Sequence, residues 1–176
     1  LSGLAGQLRA ASAVLDGEIV ALDSQGVPSF EHLQSRINST RDVDIERGLR
    51  VAPVTLMLFD LLHLDGHDLL GLPLVQRKAL LREVLEDSPR AAYVDHLERE
   101  GERFFEAVRL RGLEGMMAKQ ADSVYEAGRR SSHWAKVKAW RTQDCVIIGW
   151  ADQRERQDRI GSLALAIQQD GTLTYA

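Results

Sequence analysis

Cysteine is almost missing from this chain: Cys145 is the only one among 176 residues. A single thiol excludes an internal disulfide and a cysteine-built zinc cage, and it fits a reducing compartment, so cytoplasm is the expected location. Long apolar runs are missing too, since none approaches the roughly eighteen residues of a membrane span. The opening LSGLAGQLRAASAV has neither the basic flank nor the long apolar core of a secretory leader, and it carries no initiator methionine, as expected of a piece of a longer protein. Neither the P-loop pattern nor Gly-x-Gly-x-x-Gly occurs, so the two commonest nucleotide cradles are excluded and any phosphate must be held by lysine and arginine side chains. Positive charge is in slight deficit as well. With a formal net charge of -4, the surface offers no bulk attraction to nucleic acid or acidic membranes, and such binding would need a local basic patch. Arg129, Arg130, Lys136, Lys138 and Arg141 form one concentration, and Arg154, Arg156 and Arg159 a second.

What the chain does contain is ordinary for a soluble globular protein: 44% hydrophobic and 27% charged residues, enough for one core or for one domain and part of another. VLDGEIVALDSQGVPSF reads as a strand, a Ser-Gln-Gly reversal and a returning strand, after which Ser29 caps a short helix through EHLQSRIN. The polar STRDVDIERGLR reads as a connection. VTLMLFDLLHLDG is a nearly continuous apolar run closed by Asp-Gly, the pattern of a strand at the centre of a sheet. Pro73 opens a helix with Leu74, Leu81, Val84 and Leu85 at helical spacing. AAYVDHL is a further strand, and EREGERFFEAVRLRG a helix with Phe104, Phe105 and Val108 as its stripe and Gly112 as its stop. LEGMMAK and SHWAKVKAW read as strands. From Thr142 the helices cease, and DCVIIGWA, a charged break QRERQDR and IGSLALAIQQDGTLTYA suggest short strands that open a small barrel.

Alternation along SHWAKVKAW sends Trp134, Lys136, Lys138 and Trp140 to one face, with the two ammonium groups about 7 Å apart. Lysines on an exposed edge discourage aggregation, yet two tryptophans on the same side favour a site for a phosphate. Glu114, just before an apolar strand, is placed to reach a divalent ion or a ribose hydroxyl, or is simply solvated. Asp16 and Glu18 in LDGEIV share a strand face and are able to hold Mg²⁺ or orient a sugar, the alternative being a turn residue beside an exposed one. Phe59 is either a stacking surface for a base or plain core. His63 and His67 flank an Asp-Gly turn that breaks the helical spacing of a two-histidine zinc motif, and Cys145 reads as inert core.

The ordered segments LDGEIVALDSQGVPSFEHLQSR, FDLLHLDGHDLLGLPLVQRKALL and EGMMAKQADSVYEAGRRSSHWAKVK resemble ATP-dependent DNA ligases, of the covalent nucleotidyltransferase superfamily and most closely of the bacterial DNA ligase D type. The resemblance spans about residues 14 to 150. It implies an α+β fold in which residues 1–141 form part of an adenylation domain with antiparallel-rich sheets and flanking helices, and 142–176 begin an OB-fold barrel. It further implies that Glu18 contacts the ribose or a metal, Phe59 stacks on adenine, Glu114 serves the metal, and Lys136 and Lys138 hold the AMP phosphate. The implied cofactors are ATP and Mg²⁺ or Mn²⁺. The implied partners are nicked or broken double-stranded DNA and other end-joining repair proteins, with no membrane, in a bacterial cytoplasm at the nucleoid.

Such ligases act through a lysine of a Lys-x-Asp-Gly motif that takes AMP from ATP and passes it to a 5′-phosphate at a nick. None of the four lysines here, Lys78, Lys119, Lys136 and Lys138, is followed by x-Asp-Gly. His63-Leu64-Asp65-Gly66 imitates the shape only. The chain is therefore expected to begin downstream of the nucleophile and to be unable to adenylate itself. An RNA ligase or capping guanylyltransferase, and a descendant that binds nucleotide or DNA without covalent chemistry, are the alternative readings.

Overall fold

The computed structural model describes residues 3–37, 39–140, 142–154 and 156–176. The chain divides into two compact units, Leu1–Ala139 and Trp140–Ala176. The first is α+β. Its main sheet is built on β2 (Val54–Leu64), the long apolar run, which pairs antiparallel with β1 (Ala13–Ala21) along its whole length. The other edge of β2 takes β3 (His67–Asp68) antiparallel and β4 (Ala91–Tyr93) parallel. Asp65 and Gly66 both have positive φ in the two-residue turn between β2 and β3, which is what the twist of a tight hairpin demands.

Helix α3 (Leu74–Val84), entered through Pro73, packs on β2 and supplies Leu81 to a buried cluster with Leu58, Leu61, Leu69, Leu85 and Ala91. Its inner face also buries Arg77 and Lys78. Helix α1 (Phe30–Ile37) starts as expected, with Ser29 Oγ accepting the His32 amide at 3.3 Å. Helix α4 (Gly101–Leu110) buries Val108, half-buries Phe105 and leaves Phe104 exposed, and it ends at Gly112 with φ 69. A separate two-stranded antiparallel ladder joins β5 (Gly115–Lys119) to β6 (Trp134–Lys138).

Several readings need correction. STRDVDIERGLR is no simple connection, because Asp42–Val51 forms helix α2. Asp42 and Asp44 lie in its first turn and Arg50 in its last, the charge order a helix dipole favours, while Arg41 pairs with Asp44 at 2.6 Å. The strand expected to return after Ser24-Gln25-Gly26 shrinks to one bridge, Leu22 to Pro28. Asp23 Oδ1 accepts the amides of Gln25 and Val27 and closes the reversal locally. Within the second unit, Cys145 lies before the first strand and is exposed rather than core.

That second unit is a three-stranded antiparallel sheet of β7 (Val146–Gln153), β8 (Arg156–Gln169) and β9 (Thr172–Tyr175). The charged stretch expected to break the strands belongs mostly to them, since β7 runs to Gln153 and β8 starts at Arg156.

Candidate functional site

An irregularity in the pairing of β1 and β2 lies at the site. Asp16 faces Asp60 and Gly17 faces Leu58, so Phe59 has no opposite number and forms the extra residue of a β-bulge. Alternation along the strand then sends neighbours in sequence to different places. Leu58 and Asp60 are fully buried, whereas Phe59 is partly exposed beside Trp134 of β6, ring centroids 6.3 Å apart and nearly perpendicular. Gly17 is required at the bulge, because a Cβ there would stand 2.6 Å from the carbonyl oxygen of Met57. Gly115 is required for the same reason in the second ladder, where a Cβ would collide with the Val137 carbonyl oxygen.

In the β5–β6 ladder Lys119 is opposite Trp134, Met117 opposite Lys136, and Gly115 opposite Lys138. Directly opposed residues share a face, so three lysines and a tryptophan line one side of this ribbon. Glu114 closes the far end: its carbonyl accepts the Ala139 amide at 2.8 Å, and its Oε1 takes the Lys136 ammonium at 2.6 Å. That hydrogen bond, together with the charges of Lys136 and Lys138, holds the Glu114 carboxyl below the usual carboxylate range. Both side chains are largely exposed, so the pair organises charge more than it stabilises the fold.

Sequence reasoning missed Lys119. Its Nζ lies 3.5 Å from the centroid of Trp134 and 4.0 Å from that of Phe59, so the ammonium sits against both rings. Burial lowers its pKa to about 8, against the opposing fields of Asp60 and Asp16. The signal was available, since Gly115, Met117 and Lys119 alternate onto one face. What the sequence lacks is the pairing that sets this face level with Trp134.

Beneath the aromatic group runs a buried charge network. Arg77 reaches both carboxylate oxygens of Asp60 at 2.8 Å, with both side chains fully buried. The same guanidinium donates to the carbonyls of Leu72 and Ser123. The first amides of α3 finish the tie, Leu74 to Ser123 and Val75 to Ala121, so donors that a helix start leaves unpaired anchor the segment after β5. Further along, Tyr125 donates its amide to Leu70 and its hydroxyl to Asp16 Oδ2 at 2.8 Å, and its ring meets Trp134 edge-on at 5.8 Å. Desolvation and the Asp16 bond push the Tyr125 phenol up to about 12.

Of the residues singled out from sequence, the structure brings Phe59 against Trp134, and Lys136 against Glu114. Lys138 is on the same face. Glu18 is exposed on β1 opposite Met57 and takes part in no side-chain hydrogen bond or ion pair among the described residues. Asp16, on the same strand, accepts the Tyr125 hydroxyl on Oδ2, a contact that Glu18 does not share. Strand β6 ends at Lys138, so Trp140, 80% exposed, falls outside it. Arg129 and Arg130 are exposed on the loop between β5 and β6, and Arg141 lies outside the described residues. No group of three or more histidine, cysteine, aspartate or glutamate residues able to hold a metal occurs among the described residues. One exposed carboxylate such as Glu114 still suits Mg²⁺, which takes one or two carboxylates, keeps several waters and draws its other ligands from phosphate oxygens.

The α+β fold with its antiparallel ladders is similar to that of the nucleotidyltransferase domain of solved LigD ligases. The chain belongs to the family of the ATP dependent DNA ligase domain, whose pattern matches residues 4–138. It is 41% identical over 177 residues to the multifunctional non-homologous end joining DNA repair protein LigD of Mycobacterium tuberculosis, covering 100% of this chain and 22% of that protein. A DNA ligase of Thermococcus fumicolans is 37% identical over 168 residues, covering 91% of this chain and 30% of that one. Among solved structures, mycobacterial DNA ligase D in complex with ATP and MES superposes with a TM-score of 0.61 at 39% identity, covering 93% of this chain and 48% of that one. The ligase domain of M. tuberculosis LigD gives 0.58 at 38% identity, with 93% and 49% covered. The chain thus spans less than a quarter of the length of the LigD relative and about half of the solved ligase domains.

Proposed function

We propose that residues 1–141 are the nucleotide-holding part of an adenylation domain, that 142–176 begin an OB-fold, and that the parent protein seals nicks or breaks in double-stranded DNA through lysyl-AMP and DNA-adenylate intermediates. The observation that carries this reading is the β6 face, where Lys136 and Lys138 alternate beside Trp134 and Phe59, with Glu114 bonded to Lys136. Phe59 stacks on adenine. Lys136 and Lys138 neutralise the α-phosphate as charge builds up on its oxygens, whether pyrophosphate leaves or a DNA 5′-phosphate attacks. Glu114, with Glu18, would hold Mg²⁺ or Mn²⁺, which when bound screens the phosphate charge. Glu18 otherwise serves the ribose hydroxyls. The end-joining names of the mycobacterial relatives support a repair role; end-joining partners and a place at the nucleoid of a bacterial cytoplasm belong to the same proposal.

The chain as it stands contains no Lys-x-Asp-Gly, so incubation with ATP and Mg²⁺ is expected to leave its mass unchanged, and an AMP adduct on any of the four lysines would overturn that expectation. Binding of labelled AMP tests the site itself. Lys136→Ala and Lys138→Ala are each expected to weaken it about tenfold or more, as loss of a charge-assisted phosphate contact should. Unchanged affinity in both variants would remove the lysines from the site.

A further inference from the structure

The two carboxylates of LDGE have unlike surroundings. Glu18 is exposed, but Asp16 is half-buried and its Oδ2 accepts the Tyr125 hydroxyl at 2.8 Å, a link between residues 109 apart in sequence. Tyr125 is held at both ends, by its amide on Leu70 and by this hydroxyl. From it a line of contacts leads to the site: Tyr125 edge-on to Trp134, Trp134 edge-on to Phe59, and Lys119 against the last two. The phenol remains a donor throughout the neutral range, since its pKa is raised.

We propose that Asp16 and Tyr125 are positioning residues: their hydrogen bond braces the connection between β5 and β6, so that Trp134 and Phe59 keep the spacing and tilt an adenine ring needs, while neither residue touches the nucleotide or its metal. This rests on the reading of Phe59 as the stacking surface. It also separates the two acidic residues of the motif, giving Asp16 to the protein and Glu18 to the ligand.

The 176-residue chain is tested with AMP as the probe, in EDTA and in Mg²⁺, and with the indole N–H resonance of Trp134 as a readout that needs no nucleotide. Tyr125→Phe, which keeps the ring and loses the hydroxyl, should shift that resonance and weaken AMP binding roughly three- to tenfold, equally with and without Mg²⁺. Asp16→Ala should do the same, and the double variant should add nothing further, because both changes remove one interaction. Asp16→Asn, whose amide oxygen still accepts the hydroxyl, should stay near the starting protein. The proposal is overturned if Asp16→Asn loses binding only in Mg²⁺ while Tyr125→Phe is unaffected, which would make Asp16 a metal ligand. An unmoved Trp134 resonance in Tyr125→Phe overturns it equally. If the unaltered chain binds no AMP in either medium, the nucleotide reading fails, and the Trp134 resonance still decides whether the brace exists.

Discussion

Lys119 carries its ammonium out of water and against two aromatic faces, and the consequence is a stability that depends on pH. Its folded pKa of about 8 lies below the ordinary lysine value of 10.5. Between those values the unfolded chain binds a proton that the folded chain has released, so stability rises as pH increases through that window. Tyr125 works the other way. With a folded pKa near 12, it lowers stability once the pH passes the unfolded phenol value of about 10. Urea midpoints should therefore climb from about pH 8 to about pH 10 and then fall, and in Lys119→Met the climb should shrink to the part left by Lys78, whose pKa burial also lowers, while the later fall remains. A climb undiminished in the variant would mean that Lys119 is not responsible. Glu114→Gln makes a useful contrast, because the carboxylate is exposed. Its urea midpoint is expected to match that of the starting protein, with any effect confined to Mg²⁺-dependent nucleotide binding.

At the scale of elements, α3 and β2 are locked by charge as well as by leucines. Asp60→Ala should cost about 3–5 kcal/mol in urea denaturation, because it leaves the Arg77 guanidinium buried without its counter-charge. Asp60→Leu combined with Arg77→Met should be milder than either single change, since no lone charge is then left inside. Gly115→Ala should lower stability by more than about 1 kcal/mol, its methyl group being driven against the Val137 carbonyl of the partner strand. Much of this layer was legible. The continuous apolar run of β2 announced a central strand, and Pro73 announced α3. Even the buried pair left a trace, for Arg77 and Lys78 stand three and four residues after Leu74 and before Leu81, on the apolar stripe itself. Only an acidic partner on another element makes such a position tolerable, and nothing local in the sequence names Asp60. Helix α2 was hidden for the opposite reason: Val43, Ile45 and Leu49 stay exposed, so no sharp burial pattern marks it. Phe59 was legible as an aromatic in an apolar run, but its neighbour Trp134 stands on another ladder and is brought beside it only by the tertiary fold.

For the whole molecule, solution behaviour should follow the second unit. Ile148, Trp150, Ile160, Leu163, Leu173 and Tyr175 are all at least 47% exposed on three strands, a large apolar area for one sheet to leave in water. Light scattering is expected to show association that grows with concentration, reduced by Ile148→Lys with Trp150→Lys. Scattering that is the same for both proteins would place the sticky surface elsewhere. The first unit has a different vulnerability, which lies in the length of β2. Phe59 and Asp60 are consecutive, and alternation along the strand turns one to the aromatic group and the other to the interior arginine. Shorten the strand by one position there and every residue beyond the cut changes face. Either the anchor or the platform must then point the wrong way, so this stretch should tolerate exchanges of side chain far better than any change in its count.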